Sequence, residues 1–431
     1  MRGFRKRPIR DRTRTIAEEM GLSDEQQAAI FNGETLDLAD VMVESAFGTF
    51  PLPLGLVTDA LVDGSRYTVP MATEEPSVIA AAGFACRTVG RSGGFTTEIS
   101  DPIMTAQLLL ENPAEDAEAR LENRKTEVRA GLEPVLRSME QRGGGFRGLE
   151  TRRLPEGPGG SRLLIVELHV DVRDAMGANV LNTAAETVRP IIAEISGGTA
   201  LMGILTNAGR RRMVRSSFRV PTRHLARGGL DGDEVARRIE LAAFFADQDE
   251  NRAVTHNKGI MNGISAVTLA TANDTRAVEA AAHAYAARSG RYRSLTRFYR
   301  EDKELIGVLE LPLALGTVGG AVGFHPAAQA ALRILGDPSA QELARLAASV
   351  GLGQNLAAMW ALVSEGIQRG HMRLHARRVA WRAGARNSEI ETLAGELQER
   401  GTYTEEDARR LLQARRRNHS VQSGGARADG L

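Results

Sequence analysis

The sequence predicts a mixed protein of class α+β that is divided into several units. At about 150 residues per unit, its 431 residues correspond to roughly three of them. Residues 103–207 show the order helix, strand, helix, strand, which is typical of a small α/β domain. Residues 388–400 and 404–417 have the spacing of two helices, so we expect a small helical unit at the C-terminal end.

Hydrophobic periodicity and the positions of proline and glycine predict the remaining elements in chain order. Proline at position 76 followed by an alanine-rich run is a helix start. Residues 1–14 are expected to be irregular, and residues 251–262 to form a loop that enters a helix. Further helices are predicted at residues 23–32, 36–45, 117–142, 178–196, 233–246, 277–288, 327–335, 340–349, 352–369 and 372–383. Strands are predicted at residues 66–70, 95–99, 162–172, 201–206, 216–220 and 304–312.

The composition excludes several classes of protein. With 55 basic and 54 acidic residues, the net charge of +1 argues against a strongly basic nucleic-acid binder and against an acidic disordered chain. The single cysteine, Cys86, rules out an internal disulfide framework and a metal site built from cysteines. It also fits a reducing compartment. We therefore expect a cytoplasmic protein with no membrane partner.

Three short patterns match known motifs but lack the structural context that those motifs need. Residues 143–148 fit G-x-G-x-x-G, and residues 90–94 fit G-x-S-x-G. In both, a predicted helix precedes and a strand follows, which reverses the order required. His371 and His375 are one helical turn apart, but Met372 replaces the glutamate of H-E-x-x-H, so we expect no metal.

Four segments carry residue types suited to chemistry. They are residues 72–77 (ATEEPS), 171–179 (DVRDAMGAN), 252–263 (RAVTHNKGIMNG) followed by Asn273-Asp274, and 368–372 (QRGHM). Together, and in this order, they closely resemble the 3-hydroxy-3-methylglutaryl-coenzyme A (HMG-CoA) reductases of the bacterial second class. The resemblance extends from about residue 21 to residue 417.

The resemblance implies a particular domain arrangement and reaction. A large mixed α/β substrate-binding and dimerisation domain would comprise residues 1–102 and 208–366. A small ferredoxin-like dinucleotide-binding domain, residues 103–207, would be inserted in it, and residues 367–431 would form a mobile helical flap with a disordered tail. The reaction would be the two-step, four-electron reduction of HMG-CoA to mevalonate and CoA by NADPH or NADH. A hemithioacetal and mevaldehyde would be the intermediates.

The resemblance also implies catalytic roles. Lys258 would stabilise the oxyanion, and its compact ammonium suits a single oxygen better than an arginine fork does. Glu75 would protonate the aldehyde oxygen, and His371 the departing thiolate. Asp274 would hydrogen-bond the lysine and the glutamate and hold their protonation states.

Binding residues follow from the same matches. The substrate contacts would be Ser77, Arg252, Asn262 and Gln354, and a carboxylate independently favours a bidentate partner such as Arg252. The cofactor contacts would be Asp174, Met176, Gly177 and Asn179, where a strand, a turn and a helix start offer backbone donors to pyrophosphate.

Two positions depart from the family pattern. The family phrase Glu-Asn-x-x-Gly reads Glu44-Ser45-Ala46-Phe47-Gly48 here. The acid that binds the ribose 2′-hydroxyl in NAD-preferring relatives is replaced by Leu136 beside Arg137, unless Glu133 or Glu140 takes that place. We therefore predict that Arg137 contacts the cofactor and that NADPH is accepted at least as well as NADH.

Three alternatives stay open. The same enzyme would work in reverse during mevalonate catabolism, or a different acyl-CoA thioester would be the substrate. A non-enzymatic nucleic-acid binder would use the basic N-terminus, whose basic residues are Arg2, Arg5, Lys6, Arg7, Arg10, Arg12 and Arg14. The resemblance favours the reductase, working as a homodimer or a higher oligomer of dimers on HMG-CoA, mevalonate and CoA, without nucleic acid.

Overall fold

The computed structural model describes residues 6–31, 33–364 and 366–425, with the backbone alone described at residues 34, 367–374 and 418–425. It confirms the α+β class, because 53% of the chain is helical and 21% is strand. The α-helices are α1 (Ile9–Met20), α2 (Asp24–Ile30), α3 (Gly33–Met42), α4 (Val78–Gly90), α5 (Ala117–Asn123), α6 (Lys125–Glu140), α7 (Ala178–Ser196), α8 (Gly232–Gln248), α9 (Glu250–Ala270), α10 (Thr275–Ala286), α11 (Pro326–Ile334), α12 (Ala340–Val363), α13 (Ile367–Arg382), α14 (Ser388–Arg400) and α15 (Glu405–Gly425). The strands are β1 (Leu54–Val62), β2 (Ser65–Ala72), β3 (Phe95–Ile99), β4 (Ile103–Glu111), β5 (Gly145–Arg153), β6 (Leu163–Asp171), β7 (Thr199–Thr206), β8 (Met213–Pro221), β9 (Thr296–Glu301) and β10 (Glu304–Pro312).

A six-stranded sheet lies at the centre of the larger part of the molecule. Its strand order is β2-β1-β3-β8-β10-β9, and only the β1–β3 pair is parallel. Helix α12 contacts the central strands β3, β8 and β10, while α4 packs on β1 and α9 on β2. The three helices also pack against one another, and this places the start of α4 and one face of α9 beside α12.

Close contact between α9 and α12 depends on glycine. A Cβ atom at Gly263 would lie 3.0 Å from the Cβ of Gln354, and one at Gly351 would lie 2.5 Å from Ile264. The missing side chains let the two helix backbones approach, so that polar groups on both helices face a common space.

Helix α12 has the length and apolar composition of a membrane span. In the part of the chain that the structure describes, it is the one helix that meets this criterion, although no such segment is expected from the sequence. However, 78% of its apolar window is buried inside the protein. It is therefore the core helix of this fold.

A second, four-stranded antiparallel sheet is formed between residues 103 and 206. Its elements follow the order β4, α5 and α6, β5, β6, α7, β7, and its strand order is β5-β6-β4-β7, which is the ferredoxin-like pattern. Alternate residues of β4 face the helices and form a separate core, among them Met104, Ala106, Leu108 and Leu110. The division into domains at these bounds stays a prediction.

The N-terminal segment differs from the expectation. Helix α1 begins at Ile9, within the residues expected to be irregular. Arg12 is 2% exposed, pairs with the carboxylate of Asp40 and donates to the carbonyl oxygen of Ala46 at 2.6 Å. A buried guanidinium with these partners anchors the helix, so this arginine has a structural role and is not a free phosphate ligand. Arg2 and Arg5 lie outside the described residues.

Three further differences concern element boundaries. Residues 251–262 are helical, because Asp249 caps α9 by accepting the backbone N–H of Arg252 at 2.7 Å. Helix α15 continues to Gly425, into the segment predicted to be disordered, and residues 426–431 lie outside the described residues. Strands β1, β4, β5 and β9 are not predicted by the sequence pattern.

Candidate active site

A cavity of about 590 Å³ lies between α9, α12 and the turn that precedes α4. Six of the residues proposed from the sequence line it: Glu75, Ser77, Arg252, Lys258, Asn262 and Gln354. These residues come from three separate segments, and the packing of α4, α9 and α12 brings them together.

Lys258 and Glu75 form an ion pair at the edge of this cavity. Lys258 Nζ donates to Glu75 Oε2 at 2.6 Å, and the two side chains are 58% and 37% exposed. Ion pairs this accessible to water contribute little to stability. The pair instead presents a compact cation and a carboxyl group to a molecule bound in the cavity.

Arg252 offers a cationic fork to the same space. It lies half-buried on α9, and burial lowers its pKa from the ordinary arginine value. Among the described residues, the guanidinium of Arg252 has a side-chain hydrogen-bond partner in Met359, whose Sδ is a weak acceptor at 3.5 Å. A guanidinium held in this way is suited to bind a carboxylate through two hydrogen bonds.

Ser77 stands at a strained point of the backbone. It is the N-cap residue of α4 with φ of 76°, a left-handed conformation that is unfavourable for serine, and its hydroxyl makes no capping hydrogen bond. The hydroxyl therefore remains available to the cavity that Ser77 lines.

Gln354 brings a buried amide to the cavity wall. It is 6% exposed, and its Oε1 has no hydrogen-bond partner among the described residues. Asn262 lines the cavity one residue before Gly263, where α9 meets α12. The two amides supply the uncharged donors and acceptors of this site.

His256 also lines the cavity, although the sequence analysis gave it no role. Its Nε2 lies 2.5 Å from Thr296 Oγ1, and that hydroxyl donates to Asn355 Oδ1 at 2.9 Å. Because the hydroxyl hydrogen is used on Asn355, His256 Nε2 is the donor to Thr296. Burial, and then the charge of Arg252, lower the pKa of His256 to about 3. This imidazole is neutral at physiological pH, so it does not act as a general acid there. The sequence could have indicated this residue, because His256 lies two positions before Lys258.

A second cavity, of about 470 Å³, contains most of the residues proposed to bind the cofactor. Met176, Gly177 and Asn179 line it, and Gly177 has φ of 103° at the N-cap of α7. The exposed backbone donors and the dipole of a helix start favour an anionic group such as pyrophosphate. The residues present here fit a dinucleotide.

A glycine-rich loop at residues 316–323 forms the opposite wall of this cofactor cavity. A Cβ atom at Gly319 or Gly320 would meet nothing within 4 Å, whereas one at Gly316 would lie 2.5 Å from the backbone nitrogen of Met176. Asn273 fixes the loop by exchanging hydrogen bonds with Gly316, at 2.7 and 3.0 Å. The signal for this loop was the sequence T-V-G-G at residues 317–320.

Asp174 is not among the residues that line the cofactor cavity, and its role as a direct cofactor contact stays a prediction. Its carboxylate accepts the backbone N–H of Ala340 at 2.9 Å, and its carbonyl oxygen accepts the N–H of Thr317 at 2.8 Å. Asp174 therefore ties the cofactor loop to the first turn of α12 and to the glycine-rich loop.

Arg212 supports the two loops from beneath and was missed in the sequence. It is 3% exposed and donates to the carbonyl oxygens of Ala175 at 3.0 Å and Met176 at 3.3 Å, and to that of Leu315. Burial lowers the pKa of Arg212 to about 10, so the guanidinium stays charged. No sequence motif distinguishes Arg212 from the other arginines of this chain.

Asp274 does not contact the Lys258–Glu75 pair within the described chain, contrary to the expectation from the resemblance. Its carboxylate caps α10, accepting the N–H groups of Arg276 at 3.0 Å and Ala277 at 3.1 Å. Partial burial alone would raise the pKa of Asp274, but the Ala277 amide and Arg276 outweigh burial and lower it. Asp274 lines the cofactor cavity instead.

Comparison with known proteins identifies the family of this chain. The family model for hydroxymethylglutaryl-coenzyme A reductase matches residues 8–376. The chain belongs to the HMG-CoA reductase family. Members of this family are oxidoreductases.

Relatives share most of the length of this HMG-CoA reductase family member. A 3-hydroxy-3-methylglutaryl-coenzyme A reductase of Archaeoglobus fulgidus is 45% identical over 396 residues, covering 90% of this chain and 88% of the relative. The solved HMG-CoA reductase of Streptococcus pneumoniae has a TM-score of 0.73 and 41% identity, covering 96% of this chain and 99% of its own. A further structure, of the class II enzyme of that organism bound to NADPH in open conformations, has the same score and identity and covers 95% and 100%.

The position proposed for the reductase's 2′-hydroxyl-binding acid needs correction. Leu136 is fully buried in the core of the small sheet, so it contacts no cofactor. Arg137 is 70% exposed on α6, lies 3.8 Å from Glu133 and does not line the cofactor cavity. Arg137 and Glu133 lie on the exposed face of α6, whereas Leu136 lies on its buried face.

The remaining catalytic prediction concerns the C-terminal helices of this reductase family member. His371 lies on α13, and its side chain is outside the described residues. Gln398 of α14 lines the substrate cavity, so the helical C-terminal unit reaches the site. His375 stacks near Tyr403 with ring centroids 6.0 Å apart, which is a packing role.

Proposed function

We propose that this protein catalyses the two-step reduction of HMG-CoA to mevalonate and free CoA, consuming two NAD(P)H and two protons. The observation that supports this most directly is the Lys258–Glu75 pair, at 2.6 Å, on a cavity that also holds Arg252. Thioester reduction needs a cation for the developing oxyanion and a proton donor beside it. The Lys258–Glu75 pair supplies the cation and the proton donor on one wall of the cavity.

The substrate is held by its acyl end. Arg252 binds the terminal carboxylate of HMG, because no carboxylate of the described residues competes for its guanidinium. The hydroxyl of Ser77 and the amides of Asn262 and Gln354 bind the remaining oxygens. The buried and unpaired Oε1 of Gln354 is an acceptor suited to the substrate's tertiary hydroxyl.

Each chemical step then has an assigned group. Lys258 stabilises the negative oxygen in both reductions, and Glu75 donates the proton that converts the aldehyde oxygen to the alcohol. His371 protonates the CoA thiolate as the hemithioacetal collapses, since His256, the histidine that lines the cavity among the described residues, is neutral at physiological pH. The C-terminal helical unit carries His371 to the site and covers it.

Two NAD(P)H molecules, bound one after the other in the cofactor cavity, would each supply one hydride. Met176, Gly177 and Asn179 hold the dinucleotide at the start of α7, and Arg212 and Asp174 keep that loop in place. NADPH is accepted at least as well as NADH, with exposed Arg137 near the 2′-phosphate. The NADPH-bound relative from Streptococcus pneumoniae supports the binding of NADPH.

The working unit is a homodimer in which each active site is shared. Lys258 lies twelve residues before the end of α9, about 18 Å along the helix axis, and Asp274 follows that end at the cofactor cavity. A second copy related by two-fold symmetry would supply its Asp274 and cofactor cavity to the Lys258 of the first. The enzyme works in the cytoplasm, which agrees with its single buried thiol, Cys86.

The decisive experiment follows NAD(P)H absorbance with HMG-CoA, and with mevalonate and CoA in the reverse direction. Wild-type protein should turn over, and K258A should not, while polyanion binding stays unchanged in K258A. Absence of turnover in both directions would contradict the proposal. Faster reduction of another acyl-CoA would identify a different substrate.

Subunit sharing is tested by mixing two inactive variants, K258A and D274A. If the site is shared, random 1:1 co-assembly gives half heterodimers, each with one intact site, and about a quarter of wild-type activity. If Lys258 and Asp274 act within one chain, the mixture stays inactive.

A further inference from the structure

The open face of the four-stranded sheet carries a cluster that the proposed reaction does not use. Glu150 of β5 lies directly opposite Glu167 of β6, and His169 follows two residues later on the same face. One ligand-type atom from each of the three residues lies within 4.8 Å of the others. Residues of β6 at alternate positions face the helices instead, so this face is separate from the core.

The electrostatics of the cluster are unbalanced. Two carboxylates directly opposite one another on neighbouring strands repel. Arg211 Nη2 contacts Glu150 Oε1 at 2.5 Å, and the amide of Gln107 donates to Glu167 Oε1 at 2.7 Å. One guanidinium against two carboxylates leaves a net charge of −1, which favours binding of a further cation.

His169 supplies a second and independent indication of a ligand. It is 5% exposed, and its Nδ1 lies 2.9 Å from the hydroxyl of Thr105. Its Nε2 is buried without a hydrogen-bond partner among the described residues, 3.4 Å from Glu150 Oε2. Metal binding uses the tautomer in which Nδ1 carries the hydrogen and donates it to Thr105, so that Nε2 directs a lone pair towards the space between the carboxylates. Metal-binding histidines are commonly oriented in this way by a second hydrogen bond.

One edge of the cluster has the length expected in a tetrahedral metal centre. Bonds of about 2.0–2.1 Å place neighbouring ligand atoms of a tetrahedral Zn²⁺ site about 3.3–3.4 Å apart. The 3.4 Å between His169 Nε2 and Glu150 Oε2 agrees with this edge. Gly148, opposite His169, leaves room beside the ring, since a Cβ atom there would meet only His169 Cδ2, at 4.0 Å.

We propose that Glu150, Glu167 and His169 form a binding site for a divalent transition metal of the Zn²⁺ type. One imidazole and two carboxylates suit Zn²⁺ better than Ca²⁺ or Mg²⁺, which prefer ligand sets made of oxygen alone. Water completes the coordination. The ion joins β5 to β6 and offsets their carboxylate repulsion, and it takes no part in thioester reduction.

Calorimetric titration of Zn²⁺ into the metal-free, full-length protein tests the site. We expect one ion per chain for wild type, and loss of that binding event in H169Q. The control variant H224Q should keep it, since His224 bonds Ser92 in another part of the molecule. Co²⁺ in place of Zn²⁺ should give the visible absorption of four-coordinate cobalt in wild type and in H224Q, but not in H169Q.

Two further variants keep the proposal falsifiable if H169Q folds poorly. R211Q removes the competing cation, so it should tighten Zn²⁺ binding by on the order of tenfold. E167Q should weaken binding at least tenfold while reductase activity, which does not use this face, stays at the wild-type level. Equal Zn²⁺ stoichiometry in wild type, H169Q and E167Q, or no binding by wild type, would overturn the proposal.

Discussion

Replacement of Lys258 by arginine tests whether the active site requires a compact cation. The chain contains four lysines among 55 basic residues, so arginine is the usual cation of this protein. Lys258 Nζ is 2.6 Å from Glu75 Oε2, a geometry that aims one donor at a single oxygen. Arginine would extend by about 1 Å and engage Glu75 through a fork, and a displacement of this size is enough to cost about 100-fold in rate.

The expected loss in K258R is about 100- to 1,000-fold in kcat, equivalent to about 2.7–4 kcal/mol of transition-state stabilisation. KM for HMG-CoA should change little, because Arg252 and the amides of the cavity bind the acyl group. Initial rates of NAD(P)H oxidation at saturating HMG-CoA measure the effect, and thermal unfolding verifies that the variant is folded.

The matched control is K125R. Lys125 Nζ contacts Glu122 Oε1 at 3.2 Å on the surface, so this substitution changes a lysine–glutamate pair outside the cavity. Its activity should stay within about twofold of wild type, as expected for surface ion pairs. If K258R kept more than a tenth of wild-type kcat, the requirement for a compact ammonium would be refuted.

Three other predictions concern stability and cofactor binding. Ser45 has φ of 63°, a region that asparagine adopts more readily, so S45N should raise the unfolding free energy by about 0.5–1 kcal/mol and S45A should not. R212M should remove the support of both cofactor loops, lowering stability by about 2–4 kcal/mol and raising KM for NAD(P)H but not for HMG-CoA. The exposed R210M is its control, and equal KM values in the two variants would contradict this role. For His256, a pKa of about 3 in the folded state against 6.5 when exposed means that unfolding takes up a proton below pH 6.5. Above pH 6.5 the neutral His256 therefore costs the folded state nothing. As the pH drops from 6.5 towards 3, the free energy of unfolding falls by about 1.4 kcal/mol per pH unit. Urea unfolding at pH 6.5 and 4.5 should show a smaller drop in H256Q, and an equal drop would show that His256 titrates normally.

Local residue patterns were sufficient to predict several of the residues that line the substrate cavity. Glu75, Lys258 and Arg252 stand in short segments whose residue types suit the chemistry, and all three line one cavity. The patterns failed where a side chain turns towards a distant element. Asp174 stands in the cofactor segment, yet its carboxylate binds the backbone of Ala340, far along the chain.

Burial was the second property that the sequence did not predict. Counting back from the glycine run gave Leu136 as the cofactor-selecting position, but the orientation of α6 buries that side chain completely. A count along the chain does not give the direction in which a helix faces, because that depends on which stripe packs on the sheet.

The sequence by itself determined the family resemblance, the α+β class and the chemical types available at the site, because these depend on residue identity and local spacing. The tertiary structure decided which groups meet: glycines at the α9–α12 contact bring Gln354 to Asn262, and buried Arg212 braces two loops. It also placed Glu150, Glu167 and His169 on one face, since strand register pairs residues that are distant in the chain. Contacts of this kind arise only when elements pack, and no local pattern specifies them.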